Sequence, residues 1–169
     1  MSNHTKHTGA ILNKLANEGS MNTAAEPNTL SVERKENHQS AVEHDLEEMM
    51  AQVVSVLPAD DVRFEDDLLK ENLEEVLLML VALHGEANGK ELLSTLATYF
   101  DIQLSPGIVY PALHDLEDEA FLEMHPMVRT KEYSISNEDH VRATLEATMV
   151  QHLAFGLLLS AFLPRLNSL

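Results

Sequence analysis

Two short stretches of the 169-residue chain carry side chains whose type and spacing suit contact with an anion. The first, LSPGIVYPALHDLEDEA at 104–120, places Ser and Pro where a helix would begin and contains no Lys or Arg. Amide groups in the first turn of a helix are unpaired and carry partial positive charge, so this start can face a phosphate. The second, RTKEYSI at 129–135, supplies Arg129 and Lys131, whose cations can pair with the same kind of group.

Turn signals and helical spacing predict two helices ahead of the first stretch. Apolar residues recur every three or four positions over 68–84, which predicts one continuous helix that stops at Gly85. Asn88 followed by Glu91 has the spacing of a capping box and predicts the start of a second helix.

The two stretches themselves predict a third helix and a hairpin. Ser105 followed by Pro106 is a typical helix start, and this helix is predicted to run to about Glu119. Alternating apolar residues in 121–125 and 130–135, around a Pro-containing turn, predict a β-hairpin. A last long helix is predicted from Glu138 to Leu163, where Pro164 would end it.

Three helices followed by a hairpin is the order of a winged helix-turn-helix domain, in which the third helix is the recognition helix and the hairpin is the wing. The predicted fold class is mainly α with a small β-hairpin. This domain is predicted at 59–137, with a C-terminal dimerisation helix at 138–169. Residues 1–58 are predicted to be an extension, largely disordered to about residue 38, with a short helix at Ala10–Ala16 and an amphipathic helix at 40–57.

The segment from Gly89 to Leu92, the run LSPGIVYPALHDLEDE at 104–119 and the RTKEYSI stretch together resemble the PadR-like transcriptional regulators. The resemblance covers roughly residues 70–140, and the acidity is most similar to haloarchaeal members of the family. It implies a homodimer that binds a palindromic operator in double-stranded DNA and represses or activates transcription. Two departures stand out: Ala120 replaces the usual Gly and predicts a different helix cap, and Ile108 replaces Thr and predicts a changed base preference.

The expected DNA-binding residues lie at the start of the second helix, in the first turns of the third and on the wing: Lys90, Ser105, Pro106, Gly107, Ile108, Tyr110, His114, Arg129 and Lys131. Ser105 is also expected to cap its helix. The alternatives are a half-buried surface aromatic for Tyr110, a solvated side chain for His114, and a charged hairpin edge for the two wing cations. Pro111 lies inside the helix and predicts a kink.

The last helix is apolar around more than half its circumference, and a winged helix has no core left to bury that surface. We therefore expect a dimer interface on it, formed by Met149, Val150, Leu153, Leu157, Leu158, Ala161 and Phe162. Its apolar run, Met149–Leu163, is shorter than the roughly 17–25 residues that span a bilayer. With no secretory leader pattern at the N-terminus, a cytoplasmic protein without a membrane partner is expected.

The formal net charge is −17, and residues 59–140 hold 19 acidic against five basic side chains. A dense acidic surface keeps a protein hydrated in molar salt, so a halophilic host is predicted. An acidic partner-binding face and mimicry of nucleic acid are the alternatives.

The remaining functional classes are narrowed by what the sequence lacks. The chain has no Cys, and its nine His residues show no convincing metal-ligand spacing, so neither a metal site nor a cofactor is expected. No catalytic motif is visible, and the chain is predicted not to be an enzyme. The rivals to DNA binding are a winged-helix protein-interaction module and a sensor of stress or of an unidentified small molecule.

Overall fold

The computed structural model describes residues 27–59 and 61–166, with side chains from residue 37 onward. The chain divides into two compact units, 1–38 and 39–169. The described part of the first is the beginning of helix α1 (Pro27–Val56), which continues into the second. The helix predicted at Ala10–Ala16 lies outside the described residues.

Helix α1 corrects part of the sequence-based prediction. The amphipathic helix expected at 40–57 is present but begins at Pro27, so residues 27–38 are helical rather than disordered. Proline suits a first helical position because its fixed φ matches the helix and its missing N–H would be unpaired there. Val42 and Leu46 are buried in the same core as the following elements, so the packed unit extends upstream of Ala59.

The remaining elements follow in the order α2 (Asp66–Glu71), α3 (Leu73–His84), β1 (Glu86–Asn88), α4 (Gly89–Tyr99), α5 (Pro106–Asp118), β2 (Leu122–Pro126), β3 (Lys131–Ile135) and α6 (Glu138–Leu166). This is a mainly helical winged helix-turn-helix with a long C-terminal helix, and the predicted fold class is confirmed. The core lies among α3, α4 and α5 and against the inner face of the sheet.

The helix predicted continuously over 68–84 is broken at Asn72, between α2 and α3. The Asn72 side chain donates from Nδ2 to the Leu68 carbonyl at 2.8 Å, and its backbone N–H donates to the same oxygen at 3.1 Å. The backbone bond is an ordinary helical one, and the side-chain bond to the same carbonyl is an additional local contact of the kind that Asn makes. Apolar spacing carries no information about such a contact and so did not reveal the break.

The sheet has one strand more than the predicted hairpin. β1 pairs antiparallel with β3, giving the order β1-β3-β2. Tyr133 occupies the centre, opposite Ala87 on one side and Met124 on the other. A strand of three residues is too short to show an alternation of apolar and polar residues, so the sequence did not predict it.

Helix α6 leaves the domain soon after it begins. Of its residues, Val141 is buried and Leu145 is packed partly against the core. The helix continues through Pro164 to Leu166, so the predicted end at Pro164 is wrong. It is also, within the described residues, a helix long and apolar enough to cross a membrane by length and composition, with a mean hydropathy of 1.4 and none of that window buried. The continuous apolar run, Met149–Leu163, therefore underestimated the apolar length of this helix.

Candidate nucleic-acid interface

The start of α5 is exposed and carries no charge. Ser105 precedes it in an extended conformation, and its backbone carbonyl accepts from Ile108 N at 3.0 Å and Val109 N at 3.3 Å. The Ser105 side chain makes no capping hydrogen bond, so the expected hydroxyl cap is wrong and the hydroxyl projects from the helix start. The Ile108 amide is used within the turn rather than left unpaired.

Helix α5 has one buried face and one exposed face. Val109, Leu113 and Leu116 are buried, which holds the helix against α3, α4 and β2. The opposite face presents the predicted contact residues to solvent: Ser105, Pro106, Gly107, Ile108, Tyr110 and His114. Because Gly107 lacks a side chain and a Cβ there would touch little besides Ser105 Oγ at 3.7 Å, the backbone is accessible at the first turn.

Tyr110 links the recognition helix to α4. A Cβ built on Gly89 would lie 2.6 Å from Cε1 and Cζ of Tyr110 and 2.8 Å from its hydroxyl oxygen. The ring therefore rests directly on the buried first residue of α4, next to Lys90, while 37% of Tyr110 remains exposed. Tyr110 both positions α5 and presents part of its ring outward, and Gly89 is the partner that sequence analysis missed.

Polar side chains form a cluster beside α5: Tyr133, Glu117 and His114. Burial raises the pKa of Tyr133, and the nearby Glu117 carboxylate and Tyr110 hydroxyl raise it further. Glu117 Oε2 is buried without a hydrogen bond and lies 3.6 Å from Nδ1 of His114, a distance that permits charge attraction but is too long for a hydrogen bond. The exposed His114 ring therefore lies beside a carboxylate of its own helix.

The acidic end of α5 points to α3 rather than to the helix start. Burial raises the pKa of the Glu74 carboxyl, and Glu119, Glu75 and Asp115 raise it further by repulsion. Acids from the end of α5 therefore share one surface region with the start of α3. This separates the negative charge from the neutral face around Gly107.

Ala120 closes α5 in the left-handed conformation, with φ 61°. Its N–H donates to the Glu117 carbonyl at 3.0 Å, and the Phe121 N–H reaches the Leu116 carbonyl at 2.9 Å. This is the Schellman arrangement that glycine usually completes. The prediction of a different cap is therefore wrong: the cap geometry is kept and an alanine adopts it.

Lys90 stands at an ordered helix start. Asn88 Oδ1 accepts from the backbone N–H groups of Lys90 and Glu91 at 3.0 and 3.1 Å, and Glu91 Oε2 accepts from the Asn88 N–H at 3.0 Å. The capping box predicted from the sequence is confirmed. The Lys90 side chain itself is exposed, beside the Gly89–Tyr110 contact.

The wing carries its cations on a tight turn. The Met127 N–H donates to the Thr130 carbonyl at 2.8 Å and closes the turn between β2 and β3. Arg129 lies in this turn and Lys131 opens β3, both exposed. Val128, at the tip, is fully exposed, and Met127 is more than half exposed, so two apolar side chains accompany the basic pair.

The sequence relatives come from salt-loving archaea. The chain is 40% identical over 96 residues to the transcriptional activator GvpE of Haloferax mediterranei, and 38% identical over 96 residues to GvpE1 of Halobacterium salinarum. Each match covers 57% of this chain and 50% of the relative. The chain is similar to haloarchaeal transcriptional activators. It spans about half the length of the curated relatives it matches.

Among solved structures, the PadR-like transcription factor from Bacteroides fragilis aligns with a TM-score of 0.46 at 15% identity, covering 57% of this chain and 94% of the other. No family model matches the chain. The predicted resemblance to haloarchaeal transcriptional regulators is confirmed as a similarity to proteins of that kind. Within the described residues, no group of three or more His, Asp or Glu side chains is placed to hold a metal ion.

Proposed function

We propose that the chain is a sequence-specific DNA-binding transcriptional regulator that acts in the cytoplasm as a homodimer. The observation that carries this proposal is the charge separation on α5. Its exposed N-terminal half, from Ser105 to His114, is free of acidic side chains. Among the carboxylates of its C-terminal end, Asp115 and Glu119 lie near Glu74, while Glu117 is partly buried beside His114. Such a helix can enter a major groove by its first turns while its acids stay away from phosphates.

In the proposed complex, Ser105, Gly107, Ile108 and the exposed edge of Tyr110 face base edges and the nearest phosphates. Lys90, Arg129 and Lys131 contact the DNA backbone, which positions the domain without carrying sequence information. Two copies related by a two-fold axis place two α5 helices in successive major grooves of a palindromic operator, about 10 bp apart.

The dimer is proposed to form through the exposed C-terminal half of α6, where the predicted residues Met149, Val150, Leu153, Leu157, Leu158 and Phe162 are all about half exposed or more. An apolar surface of this extent on one helix is typical of an interface. Light scattering on the intact chain reports its mass and so tests whether the dimer forms. The relatives are named transcriptional activators, which supports activation as the direction of control. Stress or an unidentified small molecule is the signal we propose.

Adaptation to high salt is part of the proposal. Few cations face the DNA, so few counterions are released on binding, and affinity should fall only shallowly as salt rises. The decisive experiment is a mobility-shift assay in molar KCl with DNA from upstream of the regulated genes, against a scrambled duplex of equal length. We expect a complex with the first and not the second; equal or absent binding would refute sequence-specific recognition.

The same assay separates a second candidate. The 19 acidic side chains of residues 59–140 favour a winged helix that binds a basic protein partner and no longer binds DNA. That function predicts no complex with either duplex at any salt concentration.

A further inference from the structure

The tip of the wing is apolar, although the domain around it is strongly acidic. We call Met127 and Val128, in the turn between β2 and β3, the wing tip. Val128 is the most exposed large apolar side chain in the described part of the chain, and Met127 is 55% exposed. Single exposed apolar side chains are common on protein surfaces. Here two adjacent ones occupy the outermost point of a hairpin, and neither belongs to the core.

Formation of the turn does not account for these two side chains. Hairpin turns favour Gly, Asn, Asp, Ser and Pro, whose backbone or side chain helps to form the turn. This turn is closed through the backbone, from the Met127 N–H to the Thr130 carbonyl at 2.8 Å. A β-branched Val128 favours a strand rather than a turn. Its position at the tip therefore points to a contact outside the domain.

The hairpin holds the wing tip away from the rest of the molecule. Five residue pairs join β2 to β3, and His125 Nε2 lies 3.0 Å from Ser134 Oγ near the outer end. Met124 is packed partly against the core. At the rise of a strand, Val128 lies up to about 13 Å beyond Met124. The wing tip can thus reach a surface that the remainder of the sheet does not touch.

The charge beside the wing tip is complementary to phosphate. Residues 124–131 contain no acidic side chain, and they hold two of the five basic residues of 59–140, Arg129 and Lys131. Within the described residues, Arg63 and Lys70 pair with nearby aspartates, whereas Arg129 and Lys131 form no ion pair. An apolar tip beside two unpaired cations matches a DNA groove, which has phosphates along its edges and sugar and base surfaces between them.

The dimensions of the minor groove admit the wing tip but not the whole hairpin. This groove is about 6 Å wide in B-form DNA. Paired strands lie about 4.8 Å apart before their side chains are added, so a two-stranded ribbon is too wide to enter. Only side chains of the turn can do so. Apolar side chains that enter a minor groove can insert between adjacent base pairs and bend the duplex.

We propose that the wing tip enters the minor groove next to the site occupied by α5 and partly unstacks one base step, which bends the DNA. Arg129 and Lys131 hold the phosphates beside it. This inference rests on the proposed DNA-binding function and adds a contact that reads the deformability of the duplex. Pyrimidine–purine steps unstack most readily, so such a step is expected beneath Val128. Because salt does not screen an apolar contact, this one persists in molar KCl while the phosphate contacts weaken.

The test measures bending of a duplex from upstream of the regulated genes that the full-length chain shifts, by energy transfer between dyes at its two ends. The double variant Met127→Gln, Val128→Thr nearly keeps the size of both side chains and makes them polar. We expect the unmodified chain to bend the duplex. The double variant should bind about tenfold more weakly in molar KCl and lose most of the bend at saturation. Val56→Thr is the matched control, because this valine is 80% exposed on α1, and it should change neither quantity.

The salt series separates the apolar contact from the charged one. The loss of affinity in Arg129→Ala should shrink as KCl rises, whereas the loss in the double variant should persist.

The possible failures are distinguishable. A sequence-specific complex that is unbent, or whose bend and affinity are the same in the double variant, would overturn the wing-tip proposal and leave DNA binding standing. If the unmodified chain forms no complex, both proposals fail. If light scattering shows assemblies larger than a dimer that the double variant disrupts, the wing tip is a protein contact and the proposal is overturned.

Discussion

Ala120 is one of two non-glycine residues, with Asp101, that have a left-handed backbone in the described part of the chain. A non-glycine residue in the left-handed region costs roughly 1–2 kcal/mol, partly offset by the lower entropy of an unfolded alanine chain. We expect Ala120→Gly to raise the free energy of unfolding by about 1 kcal/mol, measured by chemical denaturation in molar KCl. Ala112→Gly, inside α5, is the matched control and should lower it by a similar amount. No gain from Ala120→Gly would show that the Schellman cap is absent in solution.

Gly89 and Tyr110 form a pair whose coupling can be measured. A methyl group on Gly89 overlaps the Tyr110 ring, so Gly89→Ala should cost about 1–3 kcal/mol of stability by overpacking. In a Tyr110→Ala background the methyl has space, and the same substitution should become neutral or slightly stabilising because alanine favours a helix. Denaturation of the four chains in a double-mutant cycle gives the coupling, and additive effects would contradict the contact.

For single residues, the sequence predicted where helices begin better than it predicted the hydrogen bonds and contacts of the side chains. Asn88 and Glu91 form the expected capping box because that motif is local. The Ser105 hydroxyl does not cap, although its position was correct. The Gly89–Tyr110 contact joins residues far apart in the chain, and a single amino-acid sequence contains no signal for such a contact.

The wing is the element whose role is most directly testable. Phosphate contacts carry no base information, so Arg129→Ala should weaken binding to operator and scrambled duplexes alike, by about tenfold at low salt, and should reduce the salt dependence of binding. Fluorescence anisotropy over a KCl series measures both. Lys70→Ala is the control, since Lys70 is an exposed cation on α2 beside Asp66 and Asp67. An operator-selective loss would instead assign Arg129 to base recognition.

Helices and strands were predictable where apolar residues recur at a regular spacing and where the flanking residues are types typical of turns and caps. The third helix, the hairpin and the long last helix follow from such patterns and are present. The break at Asn72 was missed because apolar spacing does not reveal a local side-chain hydrogen bond to the Leu68 carbonyl. Strand β1 was missed because its three-residue pairing with β3 depends on tertiary contacts. Helix α1 was found only from residue 40 onward, since apolar spacing is weak before it.

For the whole molecule, the acidic surface should make stability depend on salt. Burial raises the pKa of Glu74 and neighbouring carboxylates raise it further, which means that its charged form is disfavoured in the folded chain. The stability that protonated Glu74 contributes is lost as pH rises through its pKa. At neutral pH, Glu74 is therefore charged and is repelled by Glu119, Glu75 and Asp115. We expect Glu74→Gln to raise the denaturation midpoint at low salt and to change it much less in molar KCl, where charges are screened within about 3 Å. Glu123→Gln, on β2, is the control, because Glu123 is exposed and is not among the carboxylates that act on Glu74. Equal responses of the two variants to salt would contradict local repulsion.

The sheet order β1-β3-β2 has a consequence for survival in concentrated brine. Proteins often discourage strand-by-strand aggregation by placing charges on sheet edges, and that repulsion disappears when salt screens it. Here one edge is only three residues long and runs straight into α4, while the other ends at Pro126, which cannot donate a backbone hydrogen bond. Steric and covalent limits of this kind do not weaken with ionic strength. These limits on strand-by-strand pairing therefore persist in concentrated salt, where electrostatic repulsion is screened.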